Sequence, residues 1–171
     1  MKLRVFLVQA GGVLIVLALF AYGLLAAQLF LIGENPIDYH VDPLTVASVD
    51  PSNQYLVAPA AMSLAAPSVE SPKFQVSPRE LMQAVDRVAR RQPRTKLAAG
   101  SPSELWATYV QRTKYLRFPD YVSVEVVGLP DGASTVAIFS QSVYGESDLG
   151  VNKARIDRWL QQLGEALGQS Q

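Results

Sequence analysis

The sequence predicts an α+β fold, in which an N-terminal transmembrane helix and a proline-rich extended arm precede a small antiparallel sheet of three to five strands packed with two helices. Three observations lead to this prediction. No charged residue occurs from Val5 to Ile32, prolines are spread through residues 33–76, and residues 77–168 change from helical to alternating periodicity and back. Because each apolar helix face needs a sheet face to cover, both domain helices are expected on the sheet.

The N-terminal apolar run exceeds the roughly 18 to 20 residues that a helix needs to span a bilayer. Lys2 and Arg4 precede the run and Glu34 follows it, which predicts that the N-terminus is cytoplasmic and the rest lies outside. A cleaved signal peptide is the alternative, but its apolar stretch is usually about 7 to 15 residues long. We therefore expect a cytoplasmic tail over residues 1–4 and an uncleaved anchor over residues 5–32. The expected location is the inner membrane of a bacterium, with the domain in the periplasm.

Small residues within this run, Gly12, Gly23 and Ala27, are candidates for contact with a second membrane helix. Helices in lipid associate through close packing, which small side chains permit. Small residues also occur in apolar segments without any packing role, and both interpretations stay open.

Residues 33–76 contain prolines every few positions, at 36, 43, 51, 59, 67 and 72. Proline fixes φ and donates no backbone hydrogen bond, so long regular elements are not expected here. The segment is nevertheless more apolar than a disordered linker, since it contains Tyr55, Leu56 and Val57. We expect an extended arm packed partly on the following domain, with a flexible stalk as the alternative.

The domain, over residues 77–168, begins with a strong helix start. Ser77 can cap the exposed backbone donors, Pro78 fits the first helical position, and Glu80 completes a capping box. The apolar residues then recur at helical spacing, at Leu81, Val85, Val88 and Ala89. Pro93 is expected to end this helix.

Three runs of strand character follow, over residues 105–114, 121–129 and 133–143. Pro130-Asp131-Gly132 predicts a hairpin turn between the last two. Residues 74–76 and 95–98 are candidates for further short strands. A final amphipathic helix ends near Gly168 and has its apolar residues on one face, at Ile156, Trp159, Leu160, Leu163 and Leu167.

Composition excludes several classes of function. Lysine plus arginine and aspartate plus glutamate each total 15, so no charge excess indicates binding to nucleic acid. The absence of cysteine excludes disulfides, thiolate metal sites and a cysteine nucleophile. His40 is the only histidine and lies in the arm, so neither a histidine-based triad nor a two-histidine metal site is expected. We therefore predict no enzyme, no cofactor and no metal, and a structural role for His40.

The C-terminal half contains a specific string, S-x-S-x-x-G-x-x-D-x-G-x-N-x-x-R, formed by Ser140, Ser142, Gly145, Asp148, Gly150, Asn152 and Arg155. Together with Phe118 to Val126 and Pro51 to Pro59, this string resembles the domain-of-unknown-function family numbered 1499. The resemblance covers roughly residues 42–163. That family has no assigned function, so the resemblance brings no activity with it.

Within the string and beside it, Asp148, Asn152, Lys153 and Arg155 allow two interpretations. In the structural one, Asp148 or Asn152 caps the last helix and Arg155 pairs with Asp148 or Asp120. In the binding one, a small anion or lipid headgroup lies at the first helical turn, where backbone donors are exposed. Cations near a helix N-terminus oppose the dipole unless something negative is bound there.

A basic group near the end of the first domain helix also allows two interpretations, and its members are Arg87, Arg90, Arg91, Arg94 and Lys96. Positive charge at a solvated helix end complements the helix dipole. The same group could instead contact lipid headgroups or an acidic partner.

The hypothesis that follows is a membrane-anchored periplasmic accessory or interaction protein, acting as a subunit or assembly factor of a larger membrane complex. Its expected partners are the membrane and another membrane protein. The alternative is a binding module for a small anion or lipid headgroup at the start of the last helix. An enzyme ranks third, because no catalytic constellation occurs in the sequence.

Overall fold

The computed structural model describes residues 2–31 and 35–168, with side chains of the first stretch described from residue 11 to residue 25. The predicted boundaries at Met1 and residues 32–34 lie outside the described residues. The chain divides into two compact units. One contains the N-terminal helix with Tyr115–Arg117, and the other contains Asn35–Lys114 and the chain from Phe118 onward.

The N-terminal helix, α1, is continuous from Lys2 to Leu31. The helical structure of the apolar run was therefore predicted correctly. In the part of the chain that the structure describes, however, no helix is both long enough and apolar enough to span a membrane.

The second unit contains strands and helices in an α+β order, as predicted: β1 (Gln54–Ala58), β2 (Val69–Glu70), β3 (Lys73–Phe74), α2 (Pro78–Arg91), β4 (Thr95–Ser101), β5 (Trp106–Arg112), β6 (Pro119–Gly128), β7 (Ser134–Ser142) and α3 (Val151–Ala166). Two short 3-10 helices occur at Pro36–Tyr39 and Pro102–Glu104.

The sheet is larger than predicted and is mixed. Its seven strands have the order β2-β1-β7-β6-β5-β4, with β3 paired to β7 beyond the end of β1. The β1–β2 pair is parallel, and the other pairs are antiparallel. The predicted antiparallel sheet of three to five strands was therefore wrong in size and in the orientation of one pair.

The additional strands come from the segment predicted as an extended arm. β1 lies between Pro51 and Pro59, so these prolines end the strand without interrupting its hydrogen bonds. Its Leu56 and Val57 pair with Phe139 and Ile138 of β7. Proline spacing predicted short elements correctly, but this long-range pairing has no local sequence signal.

Both α2 and α3 cover one face of the sheet. The predicted apolar stripes are buried there, with Leu81, Val85, Val88 and Ala89 from α2 and Ile156, Trp159, Leu160 and Leu163 from α3. Trp159 meets the ring of Tyr109 on β5 edge-on, with ring centroids 6.0 Å apart.

The opposite face of the sheet is covered by residues 35–50, which we call the covering segment. Its Val41, Leu44, Val46 and Val49 pack against a second apolar cluster of Leu56, Ala58, Ala65, Ala137 and Phe139. The central strands are therefore buried on both faces, which explains the almost unbroken burial along β6 and β7.

The local signals at the start of α2 and at the β6–β7 hairpin were predicted correctly. Ser77 Oγ accepts a hydrogen bond from the Glu80 backbone N–H at 3.3 Å, and Pro78 is the first helical residue. In the hairpin, Gly132 has φ of +82°, and the backbone N–H of Ala133 donates to Asp131 Oδ1 at 3.3 Å.

Candidate functional site

Arg155 in α3 forms a buried ion pair with Asp120 of β6. Its side chain is 5% exposed, and its Nη2 contacts Asp120 Oδ2. Of the two partners that the sequence allowed for Arg155, the structure selects Asp120. Each of these charges would be costly to bury alone, and pairing them offsets part of that cost.

The Nε and Nη1 atoms of Arg155 are also hydrogen-bonded. Nε donates to Gln111 Oε1 of β5 at 2.6 Å, and Nη1 donates to Ser140 Oγ of β7 at 3.0 Å and to Asn152 Oδ1 at 2.5 Å. We call these five residues, Gln111, Asp120, Ser140, Asn152 and Arg155, the α3 cluster. Through it one helical side chain is bonded to three neighbouring strands.

Asn152 is fully buried and uses both ends of its amide. Its Oδ1 accepts from Ser140 Oγ at 2.6 Å as well as from Arg155. Its Nδ2 donates to the backbone carbonyl of Asn53 at 2.8 Å and to Ser142 Oγ at 3.1 Å. Asn152 therefore joins α3 to the start of β1 and the end of β7, and its side chain does not act as a helix cap.

Asp148, rather than Asn152, provides the side chain that accepts hydrogen bonds at the N-terminus of α3. Its Oδ1 accepts from the Gly150 backbone N–H at 2.8 Å, and its Oδ2 accepts from the Asn152 backbone N–H at 2.6 Å. Gly150, with φ of +80°, directs the chain from Asp148 into the helix. The carboxylate of Asp148 thus occupies the position where a helix N-terminus favours an anion.

Lys153 is not part of the α3 cluster. Its ammonium pairs with Asp157 Oδ2 at 2.5 Å along the exposed face of α3 and lies 5.7 Å from the centre of the Tyr55 ring. The four candidate residues therefore separate into a buried pair, Asn152 and Arg155, a capping carboxylate, Asp148, and an exposed cation, Lys153. Sequence reasoning missed the roles of Gln111 and Asn53, which lie far away from α3 in the chain, although Asn53 belongs to the segment Pro51 to Pro59 that resembles the family.

The fold and the cluster define a class of protein, an α+β domain whose last helix is attached to its sheet by buried polar side chains, Ser140, Asn152 and Arg155 from one sequence string and Gln111 and Asp120 from outside it. The chain belongs to the family described as proteins of unknown function, DUF1499, whose model matches residues 41–163. The resemblance identified in the sequence is thereby confirmed. No curated protein matches the chain.

We expect Asp148→Ala to lower the free energy of unfolding by about 0.5–2 kcal/mol, because the variant loses the carboxylate that accepts two backbone N–H groups at the start of α3. Urea denaturation of the purified protein measures this difference. Glu146→Ala is the matched control, since Glu146 is an exposed acid in the same loop. Equal midpoints for both variants would contradict the capping role.

A second polar group lies on the opposite face of the sheet, under the covering segment. The ring of His40 stacks on Trp106 with centroids 4.0 Å apart, and its Nδ1 is 2.8 Å from Thr108 Oγ1. Gly100 makes room for this ring, because a Cβ there would lie 2.7 Å from His40 Cε1. Burial lowers the pKa of His40, although the charge of Glu104 opposes this effect. His40 thus helps to attach the covering segment to β4 and β5.

Glu125 of β6 faces Asp42 of the covering segment. Its Oε2 is buried and has no hydrogen-bond partner within the described residues. Burial raises the pKa of Glu125 to about 7, and the hydrogen bond to Asp42 and its negative charge add to the rise. A proton on Glu125 removes the repulsion between its carboxyl group and that of Asp42. Sequence reasoning missed the pair because the two residues are far apart in the chain.

We expect the stability of the domain to fall as the pH rises from about 4.5 to about 7. In this window the unfolded chain has released the Glu125 proton, whereas the folded chain still holds it. Folding therefore binds a proton, and the free energy of unfolding falls as the pH rises. The expected loss is on the order of 1–2 kcal/mol, because solvent screens a partly exposed pair. Urea midpoints across this range measure it.

Glu125→Gln is the control for this pH dependence. The amide cannot ionise, so the slope between these pH values should flatten and the variant should gain stability relative to the wild type at pH 8. An unchanged slope in the variant would assign the pH dependence to other groups.

Proposed function

We propose that this protein is a membrane-anchored accessory protein, in which α1 lies in the bacterial inner membrane and the domain lies on the periplasmic side as a subunit or assembly factor of a membrane complex. The observation that carries the proposal is the absence of any charged residue from Val5 to Ile32, a run whose described part, up to Leu31, lies within one continuous helix. This run extends on both sides beyond the residues whose side chains the structure describes.

The surface of α1 supports this proposal. Every residue from Gly12 to Leu25 is exposed, including Leu14 at 67% and Phe20 at 65%. A continuous apolar surface of this length is unfavourable in water and favourable in lipid or against another apolar helix. Lys2 and Arg4 at its start, with Asp38 and Asp42 following it, favour a cytoplasmic N-terminus.

The burial and pairing of the residues in the family string support a non-enzymatic role. Arg155 and Asn152 are buried, bonded to one another and to the sheet, and the charge of Arg155 is paired with Asp120. These residues therefore stabilise the domain.

Protease treatment of intact spheroplasts tests the topology. We expect added protease to remove the domain while a cytoplasmic reference protein stays intact, because the domain would face the outside. Full protection of the domain under conditions that degrade a known periplasmic protein would overturn the proposal.

We also propose that α1 contacts its partner through small residues. Gly12 and Gly23 are about three helical turns apart and so share a face, and no atom of the described residues outside the local helix backbone lies within 4 Å of a Cβ placed at either. Ala27, the third candidate, has a side chain outside the described residues. This face would let a second helix approach closely.

We expect Gly23→Leu to weaken co-purification of a membrane partner in mild detergent and to leave membrane insertion intact, because leucine is as apolar as the lipid and favours helix. Gly11→Leu is the matched control, since Gly11 lies about 100° away from Gly12 around the helix. If the domain kept its partner after α1 was exchanged for an unrelated membrane helix, recognition would belong to the domain.

The alternative function, binding of a small anion or lipid headgroup by Asp148, Asn152, Lys153 and Arg155, has less support from the geometry. Asp148 already places a carboxylate at the start of α3, and Arg155 is paired with Asp120. A ligand there would have to displace both.

A further inference from the structure

The ends of α2 and α3 enclose a groove of about 440 Å³ on the side of the domain where the two helices meet. Ala84 and Val88 of α2 and Ala166 of α3 give it an apolar wall. Arg87 and Arg91 lie along the α2 rim, and Glu165 lies on the α3 rim. None of these residues belongs to the α3 cluster.

The two arginines of the groove differ from the other arginines nearby. Arg90 is paired with Asp86, its Nε lying 2.8 Å from each carboxylate oxygen, and Arg94 Nε donates to the backbone carbonyl of Arg112. Arg87 and Arg91 have no ion pair or hydrogen bond within the described residues. Like charges four residues apart on a helix repel each other, a cost that a bound anion removes.

The floor of the groove offers one free hydrogen-bond acceptor and one free donor. Gln92 Nε2 donates to the Val88 carbonyl at 3.0 Å and to Gln162 Oε1 at 2.7 Å, which joins the two helices. Gln92 Oε1 and Gln162 Nε2 remain without a hydrogen bond within the described residues. A free donor and a free acceptor in one groove match the C=O and N–H of a peptide backbone.

We propose that this groove binds an acidic peptide segment of a partner protein, whose carboxylates pair with Arg87 and Arg91 and whose backbone bonds to the two glutamines. The spacing agrees, because carboxylates at alternate positions of an extended peptide lie about 6.6 Å apart, close to the about 5–6 Å between helix positions four residues apart. Arginine also binds carboxylates through two parallel hydrogen bonds.

A peptide fits this groove better than a lipid surface does. The groove itself contains two arginines, fewer than the four to eight basic residues typical of headgroup-binding clusters, and its glutamine amides can bond to a peptide backbone. The proposal rests on the proposed function in one respect, since it assigns a partner-binding surface to an accessory domain.

The test uses the purified full chain in detergent and a short fluorescent peptide with glutamate at alternate positions separated by alanine. Fluorescence anisotropy should show saturable binding that weakens about tenfold or more when Arg87→Ala and Arg91→Ala are combined. Arg79→Ala combined with Arg158→Ala is the matched control, because both are exposed arginines of the same two helices. These control substitutions should leave binding unchanged, and all variants should melt as the wild type does.

Two results would overturn the proposal. One is equal binding of a peptide with lysine in place of glutamate, or binding that is insensitive to Arg87 and Arg91. The other is arginine-dependent binding to phosphatidylglycerol vesicles without binding to the peptide, which would make the groove a headgroup site. Either result is separable from failure of the proposed function, which the spheroplast experiment decides independently of the groove.

Discussion

Arg155→Ala is expected to destabilise the domain by about 3–5 kcal/mol, which is the usual cost of removing one partner from a buried ion pair. The variant leaves the Asp120 carboxylate buried without its counter-charge and removes the donors to Gln111, Ser140 and Asn152. The loss should appear as a lower midpoint in urea denaturation of the purified chain, followed by circular dichroism. A domain of this size has little stability beyond such a loss, so a fraction should be unfolded without denaturant.

Two controls separate the ion pair from a general effect of altering α3. Arg158→Ala removes an exposed arginine from the same helix and should change stability by less than about 0.5 kcal/mol. Combining Asp120→Leu with Arg155→Met replaces both charges by apolar groups and should recover part of the loss, because no unpaired charge remains. If Arg155→Ala had the same urea midpoint as the wild type, the α3 cluster would not be what attaches α3 to the sheet.

Asn152→Ala is expected to cost about 2–4 kcal/mol, the second largest effect. The carbonyl of Asn53 loses one of its two donors, the hydroxyl of Ser142 loses a donor, and Ser140 and Arg155 lose an acceptor, all around a fully buried side chain. The same urea denaturation experiment measures the change.

Lys153→Ala is the matched control, because it lies next in the chain and loses the exposed pair with Asp157 and the contact with the Tyr55 ring, so its effect on stability should be small. The losses from Asn152→Ala and Arg155→Ala should also sum to more than the loss in the double variant, since the two side chains are in direct contact. Additive losses, or a loss below about 1 kcal/mol for Asn152→Ala, would show that Asn152 is replaceable in the cluster.

The parts of the fold that the sequence predicted correctly depend on contacts between residues close in the chain. The start of α2 follows from Ser77, Pro78 and Glu80, which lie within one turn, and the β6–β7 hairpin follows from a three-residue turn. The buried faces of α2 and α3 follow from helical spacing of apolar residues. Each signal is local, so it can be read without knowledge of the rest of the structure.

The strands that were missed depend on partners far away in the chain. β2 contains two residues, too short for any periodicity, and it exists because β1 presents backbone groups beside it. β3 is equally short and overlaps the candidate strand at residues 74–76 only at Phe74, because its bounds are set by pairing with β7. The covering segment is a similar case. Its few apolar residues become part of a core because Leu56 and Phe139 lie beneath them.

The sequence by itself determined the family, the helical N-terminal run, the α+β order of the domain and the residues of the candidate site at the start of α3. Only the tertiary structure decided what those residues do. In the sequence, Asn152, Lys153 and Arg155 are all polar residues in the first turns of a helix. In the structure, Asn152 and Arg155 point into the sheet, whereas Lys153 points into solvent. The Asp42–Glu125 pair and the groove of Arg87 and Arg91 also depend on the tertiary structure. Burial and shared hydrogen bonds arise between residues that only folding brings together.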